Sequence, residues 1–171
     1  MIKFQADLKC WLDYNFPDTT RDQQIMGVVE ELGELFECQI LYDSGTGSGQ
    51  EEKALKDAVG DVVIFLCNYC TKADISLCYS IEKWQNHNFG NTTGAAMINL
   101  GRLCHADLKH QQGIRGYDEE KTRQELHKYI AGVYCSLSNY CRTINLHIES
   151  CIDVALEAIK KRDWVVNPVT G

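Results

Sequence analysis

Proline is nearly absent from this chain of 171 residues: Pro17 and Pro168 are the only two. Nothing between them interrupts a helix as a ring without an amide hydrogen would. An all-β chain with many tight turns would use more proline. Basic charge is also short, with 17 Lys+Arg against 24 Asp+Glu and a formal net charge of -7. A non-specific nucleic-acid binder needs a basic footprint; none is visible, so no nucleic-acid partner is expected. No apolar run reaches the length of about 18 residues that a membrane span needs, so no membrane partner is expected either. The opening segment MIKFQADLKCW mixes charge into its apolar positions and does not read as a signal peptide.

Hydrophobic residues make up 44% of the chain, enough for a sizeable core. The 9 cysteines are odd in number and irregularly placed. Without a secretion signal they read as reduced thiols, which points to the cytoplasm, or a host's cytoplasm for a viral chain. Cys67 and Cys70 form a CxxC, but no second pair stands at zinc spacing, and the run around them is apolar. Core cysteines on a buried helix are therefore expected there.

Self-similarity gives the first organising feature. WLDYNFPDTT at 11–20 aligns with WQNHNFGNTT at 84–93, ELGEL at 31–35 with NLGRL at 99–103, and LCNYC at 66–70 with LSNYC at 137–141. Three matches in one order indicate a tandem duplication, with copies at about 1–84 and 85–171. The copies differ in chemistry. Glu30, Glu31 and Glu34 face Ile98, Asn99 and Arg102, while Asp57 and Asp61 face Lys128 and Gly132. The second copy is expected to be degenerate, a structural partner in a pseudo-dimer.

Apolar spacing predicts helices over 2–15, 20–42, 51–72, 74–86, 94–112, 118–143 and 145–163, with Thr19, Thr20 or Asp22 capping the second and Asp74 the fourth. DSGTGSGQ at 43–50 reads as a mobile loop, and GIRGYD at 113–118 as its counterpart. No period-2 run is long enough for a strand. The expected fold is all-α, an antiparallel helical bundle of two fused units.

The acids of the first copy cluster by helical spacing. Glu30 and Glu34 are four apart, as are Asp57 and Asp61, and Asp61 sits inside an apolar run. An ionised carboxylate there is costly unless paired or bound to a metal, and Lys53 and Lys56 are the chief cations nearby. Oxygen donors from two neighbouring helices suit Mg²⁺ or Mn²⁺. Gly33 and Gly60 lie beside these acids, and close approach of the two acidic helices would explain glycine in mid-helix. The alternative is a solvated, Glu-rich face.

Glu30-Glu31-Leu32-Gly33-Glu34, a glycine-rich gap and then Asp57-Ala58-Val59-Gly60-Asp61 resemble the MazG-like nucleoside triphosphate pyrophosphatases, an all-α family, in its bacteriophage form. LKHQQGIRGY at 108–117 and KKRDW at 160–164 resemble segments of single-unit members. The resemblance implies hydrolysis of a nucleoside triphosphate to the monophosphate and pyrophosphate, with one to three Mg²⁺ ions, for which Mn²⁺ can substitute. Glu30, Glu31, Glu34 and Asp61 match the family's catalytic acids, with Glu31, Glu34, Asp57 and Asp61 as metal ligands and Glu30 or Glu31 positioning the water. Ala58 stands where the family has a glutamate, and Asp57 is the substitute. Asn68 matches an asparagine near metal and phosphate, and Lys83 a lysine on phosphates. Each also reads as an ordinary helix residue. Lys53, Lys56, Arg115 and Arg162 are further candidates for the phosphates.

Trp11, Asn15 and Phe16 offer stacking and an amide edge for a nucleobase, or else core packing. The phage-type resemblance favours a purine deoxynucleotide, dGTP or dATP, and a homo-oligomer, dimer or tetramer. A non-catalytic, metal-dependent nucleotide sensor is the alternative, favoured by Ala58.

Overall fold

The computed structural model describes residues 2–44 and 50–169. Most of the glycine-rich stretch expected to be a mobile loop lies outside the described residues. Among the described residues there are seven helices and no strand. The chain is all-α, and no single helix is long and apolar enough to cross a membrane.

It divides into two compact units. The first takes Met1–Asp74 and Leu146–Gly171. It contains α1 (Ile2–Asn15), α2 (Arg21–Asp43), α3 (Gln50–Lys72) and α7 (Ile148–Ile159). The second takes Ile75–Asn145 and contains α4 (Leu77–Trp84), α5 (Thr93–Gln111) and α6 (Glu119–Thr143). These units differ from the sequence halves 1–84 and 85–171. The helix before residue 84 belongs to the second unit, where it packs on α6, and the last helix belongs to the first, where it packs on α3. The sequence matches do not mark which neighbour covers a given face.

In the first unit α3 is the central helix, touching α1, α2 and α7. Leu55, Val59, Val62, Val63, Leu66, Cys67, Tyr69 and Cys70 are fully buried along it. From Ala58 onward the helix is apolar nearly all round because neighbours cover it from several sides. Each large side chain removed from water there stabilises by about 1.5–3 kcal/mol. From α2, Val28, Leu32 and Leu35 reach the same core, and from α1, Leu8 and Leu12. Cys67 and Cys70 are buried free thiols, and burial pushes Cys67 up to about 12, as core cysteines require.

Local signals fix the helix starts. Thr20 caps α2 in a reciprocal box: its hydroxyl accepts from Gln23 N at 3.2 Å, and Gln23 Oε1 accepts from Thr20 N at 2.9 Å. Replacing Thr20 with Ala is expected to cost about 1 kcal/mol, read as a lower urea midpoint at unchanged m-value. The fourth helix begins later than its sequence suggests. Asp74 adopts a left-handed conformation (φ 53°) in the turn after α3, so Ser76 is the cap, accepting from Tyr79 N at 3.2 Å. The last helix is also shorter than expected and ends at Ile159, which leaves Arg162 and Trp164 in the turns beyond it.

The glycines act differently from expectation. A Cβ on Gly33 would meet nothing within 4 Å, and Gly33 faces solvent. One on Gly60 would stand 2.4 Å from the backbone oxygen of Cys151 and 2.6 Å from Ala155 Cβ. Gly60 therefore serves the approach of α7 to α3, not the approach of the two acidic helices. The close contact between α2 and α3 is at Gly27, against the Phe65 ring.

Candidate functional site

A cavity of about 700 Å³ opens in the first unit, and its walls differ in chemistry. One part is aromatic. Trp11 and Phe16 meet edge to face at 5.8 Å between centroids, and Phe16 meets Trp164 at 6.4 Å. Another part carries Glu31 from α2 and Asp61 from α3, with Arg162 also on the wall. The α1–α2 connection contributes Asp18 and Thr19, and α3 adds Phe65 and Asn68.

Asn15 does not line this cavity. Its side chain is buried and bridges two elements: its amide donates to Trp11 O at 3.0 Å, and its oxygen accepts from Trp164 N at 2.8 Å. Asn15 holds the aromatic wall in place instead of offering an edge to a base.

Three polar atoms on the lining are buried without a hydrogen-bond partner: Trp11 Nε1, Gln24 Oε1 and Asn68 Oδ1. Such atoms are uncommon in folded proteins and each costs about 1–3 kcal/mol of lost hydration. Gln24 is anchored at its other end, where Nε2 donates to Thr19 Oγ1 at 2.7 Å. Asn68 differs from the residue it aligns with: the Asn139 amide donates to Gly90 O at 3.1 Å. A purely structural role suits Asn139; Asn68 keeps an acceptor unused.

The two carboxyls are strongly perturbed. Burial first, then the charges of Asp61, Glu34 and Glu30, push Glu31 from its ordinary 4.5 to about 7. Burial and the neighbouring Asp57 push Asp61 from 3.8 to about 6, and Glu34 adds to this. Arg162 is near enough to pull both the other way. Both carboxyls hold a proton more tightly in the folded chain than in the unfolded one. Their contribution to stability is therefore full below about pH 4 and is lost as pH rises through about 6 and then about 7. Metal-free protein is expected to melt at a lower temperature at pH 8 than at pH 5.5. Solvent screening of these partly open side chains keeps the effect near 1 kcal/mol, or about 2–4 °C. Melting curves in EDTA across that range check it.

Glu30 and Glu34 are exposed on α2, and Asp57 is half-buried on α3. Among the described residues no three His, Cys, Asp or Glu side chains stand together as a ready-made metal cage. As a donor set, the acids offer carboxylate oxygens only, and among the described residues no lysine or arginine is ion-paired with them. That chemistry fits a hard divalent ion.

The lysines fall elsewhere. Lys53 is exposed and away from the cavity, Lys56 is paired with Glu52 at 2.6 Å, and Lys83 lies in the second unit, as does Arg115. Arg162 is the expected cation that reaches the cavity, its guanidinium 6.0 Å from the Trp164 ring centroid. Sequence reasoning missed Gln24, Phe65 and Trp164. The tryptophan had a signal, since it closes the KKRDW segment; the other two lie in helices with nothing to distinguish them.

In the second unit the aligned positions Ile98, Asn99, Arg102 and Lys128 line a smaller cavity, about 130 Å³. A Cβ on Gly132 would lie 2.6 Å from Asn99 Cγ. The Asn99 amide donates to Ala95 O at 2.9 Å and to Ser136 Oγ at 3.3 Å. A neutral amide thus stands at the position that aligns with Glu31, and among the described residues its Oδ1 is buried without a hydrogen-bond partner. No family model, curated protein or solved structure matches the chain.

Proposed function

We propose that the first unit hydrolyses a purine deoxynucleoside triphosphate, dGTP or dATP, to the monophosphate and pyrophosphate, in control of the nucleotide pool. The observation that carries this reading is a single cavity with an aromatic wall, two perturbed carboxyls and an arginine. Its volume of about 700 Å³ suits a ligand of nucleotide size.

Trp11, Phe16 and Trp164 take the base by stacking. Two unused acceptors, Gln24 Oε1 and Asn68 Oδ1, favour a base rich in N–H donors, and Trp11 Nε1 supplies one donor. Arg162, one of the cations expected on the phosphates, binds them from the cavity wall. Glu31, Glu34, Asp57 and Asp61 would hold Mg²⁺ or Mn²⁺, which when bound supplies charge neutralisation on the triphosphate. Glu31 or Glu30 orients the attacking water and accepts its proton. The second unit, with Asn99 in place of a charged acid, is the degenerate partner, and the chain assembles as a homo-oligomer.

Pyrophosphate release from the common nucleoside and deoxynucleoside triphosphates, with Mg²⁺ and with EDTA, tests the activity. Metal-dependent turnover of a purine deoxynucleotide is the expected result. Flat traces from folded protein would overturn it in favour of a non-catalytic nucleotide sensor. Trp11→Ala is expected to raise KM about tenfold with a smaller change in kcat, since a stacking wall serves ground and transition states alike.

A further inference from the structure

The second unit has a cavity of its own, about 310 Å³, between α4 and α6. Lys83 reaches it from α4, and Arg123 and His127 from α6. Lys83 is exposed, its ammonium 5.6 Å from the Tyr79 ring centroid, and among the described residues no carboxylate is ion-paired with it. One acid lines the same space, Glu120, which accepts from Gln124 Nε2 at 3.2 Å.

His127 is buried, and its bonding is specific. Ser80 Oγ, itself fully buried, lies 2.8 Å from His127 Nδ1 and donates to Ser76 O at 2.8 Å. With the hydroxyl hydrogen so placed, Nδ1 donates to Ser80 and Nε2 is the nitrogen left for a ligand. Burial, Arg123 and Lys83 all push the imidazole pKa down. Tyr79 packs edge-on against the imidazole at 5.1 Å and supplies an apolar wall.

An ammonium without an ion-paired carboxylate among the described residues, beside a convertible imidazole and the Arg123 guanidinium, makes a site that suits a dianion. The space exceeds a bare phosphate and sits at the low end for small-molecule sites. We propose that the cavity bounded by Lys83, Arg123 and His127 binds the phosphate group of a small phosphate monoester. The proposal is independent of the chemistry assigned to the first unit.

The test is histidine NMR on the full chain in EDTA, which keeps divalent ions from carrying phosphate to the carboxylates. Inorganic phosphate and glycerol phosphate are titrated against chloride at equal ionic strength. The expected result is a saturable shift of the His127 ring signals and a rise in its pKa. The bound dianion offsets Lys83 and Arg123, the cations that face the ring from α4 and α6 beside Glu120 and Tyr79. Lys83→Met, at an exposed position, is expected to weaken binding at least about tenfold. A response equal to that of chloride, or a Lys83→Met protein that binds phosphate as the parent does, would overturn the proposal. A stronger response to glycerol phosphate than to inorganic phosphate identifies the ester; the reverse order overturns the monoester assignment.

Discussion

Asp61→Asn is expected to abolish pyrophosphate release, by at least about a hundredfold in kcat, while making the metal-free protein more stable. The two effects share one cause. Asp61 sits on a helix whose neighbouring positions Val62, Val63 and Ile64 are buried, and it is pushed to about 6 by burial and by Asp57. At pH 8 the folded chain therefore carries a charge it would rather not hold. An amide of nearly the same shape removes that charge without opening a void. The gain is about 1 kcal/mol after solvent screening, or about 2–4 °C in melting temperature, and it should shrink toward zero at pH 5. Glu31→Gln is expected to behave in the same way, with its stability gain fading across a range nearer pH 7, because Glu31 is raised to about 7. Added Mg²⁺ separates site from surface. It should raise the melting temperature of the parent chain and leave both variants unmoved. A chain whose acids were mere surface decoration would lose neither activity nor the metal response.

The acids were legible in the sequence because charge inside an apolar run is conspicuous. Asp61 and Glu31 stand out in VVEELGELF and ALKDAVGDVVIFLC, and both line the cavity. Exposed Glu30 and Glu34 were equally conspicuous, so pattern alone does not separate the two kinds. The helices were legible for a related reason: apolar spacing and caps act locally, as the Thr20–Gln23 box shows. What was not legible depends on contacts between distant segments. Trp11 and Phe16 looked like a pocket, but Asn15 between them turned out to anchor Trp164, 149 residues away. Lys56 looked like a phosphate ligand; it pairs with Glu52, four residues back, and does not line the cavity. Arg162 reaches the cavity because the last helix stops at Ile159, and a helix end set by tertiary packing leaves little trace in composition.

The second large effect tests that long-range step through Gly60 and Gly33, which the sequence placed on equal terms. Gly60→Ala would force a methyl group to within 2.4 Å of the Cys151 carbonyl oxygen. Backbone does not swing aside as a side-chain tip does, so α7 must lift from α3. The expected cost is about 3 kcal/mol, seen as a melting temperature lower by about 6–12 °C. Cys151, Ala155 and Ile159 lose their burial as α7 lifts, and the turns that follow carry Arg162 and Trp164 away from the cavity. Pyrophosphate release should therefore fall at temperatures where circular dichroism still reports a folded helical chain. Gly33→Ala is expected to do the opposite. Its new methyl group meets nothing within 4 Å, and alanine favours the helix by about 1 kcal/mol, so the chain should gain stability and keep its activity. Equal effects at the two glycines would mean that helix propensity, and not the seating of α7, governs this unit. Arg162 would then have no structural reason to be held near the carboxyls.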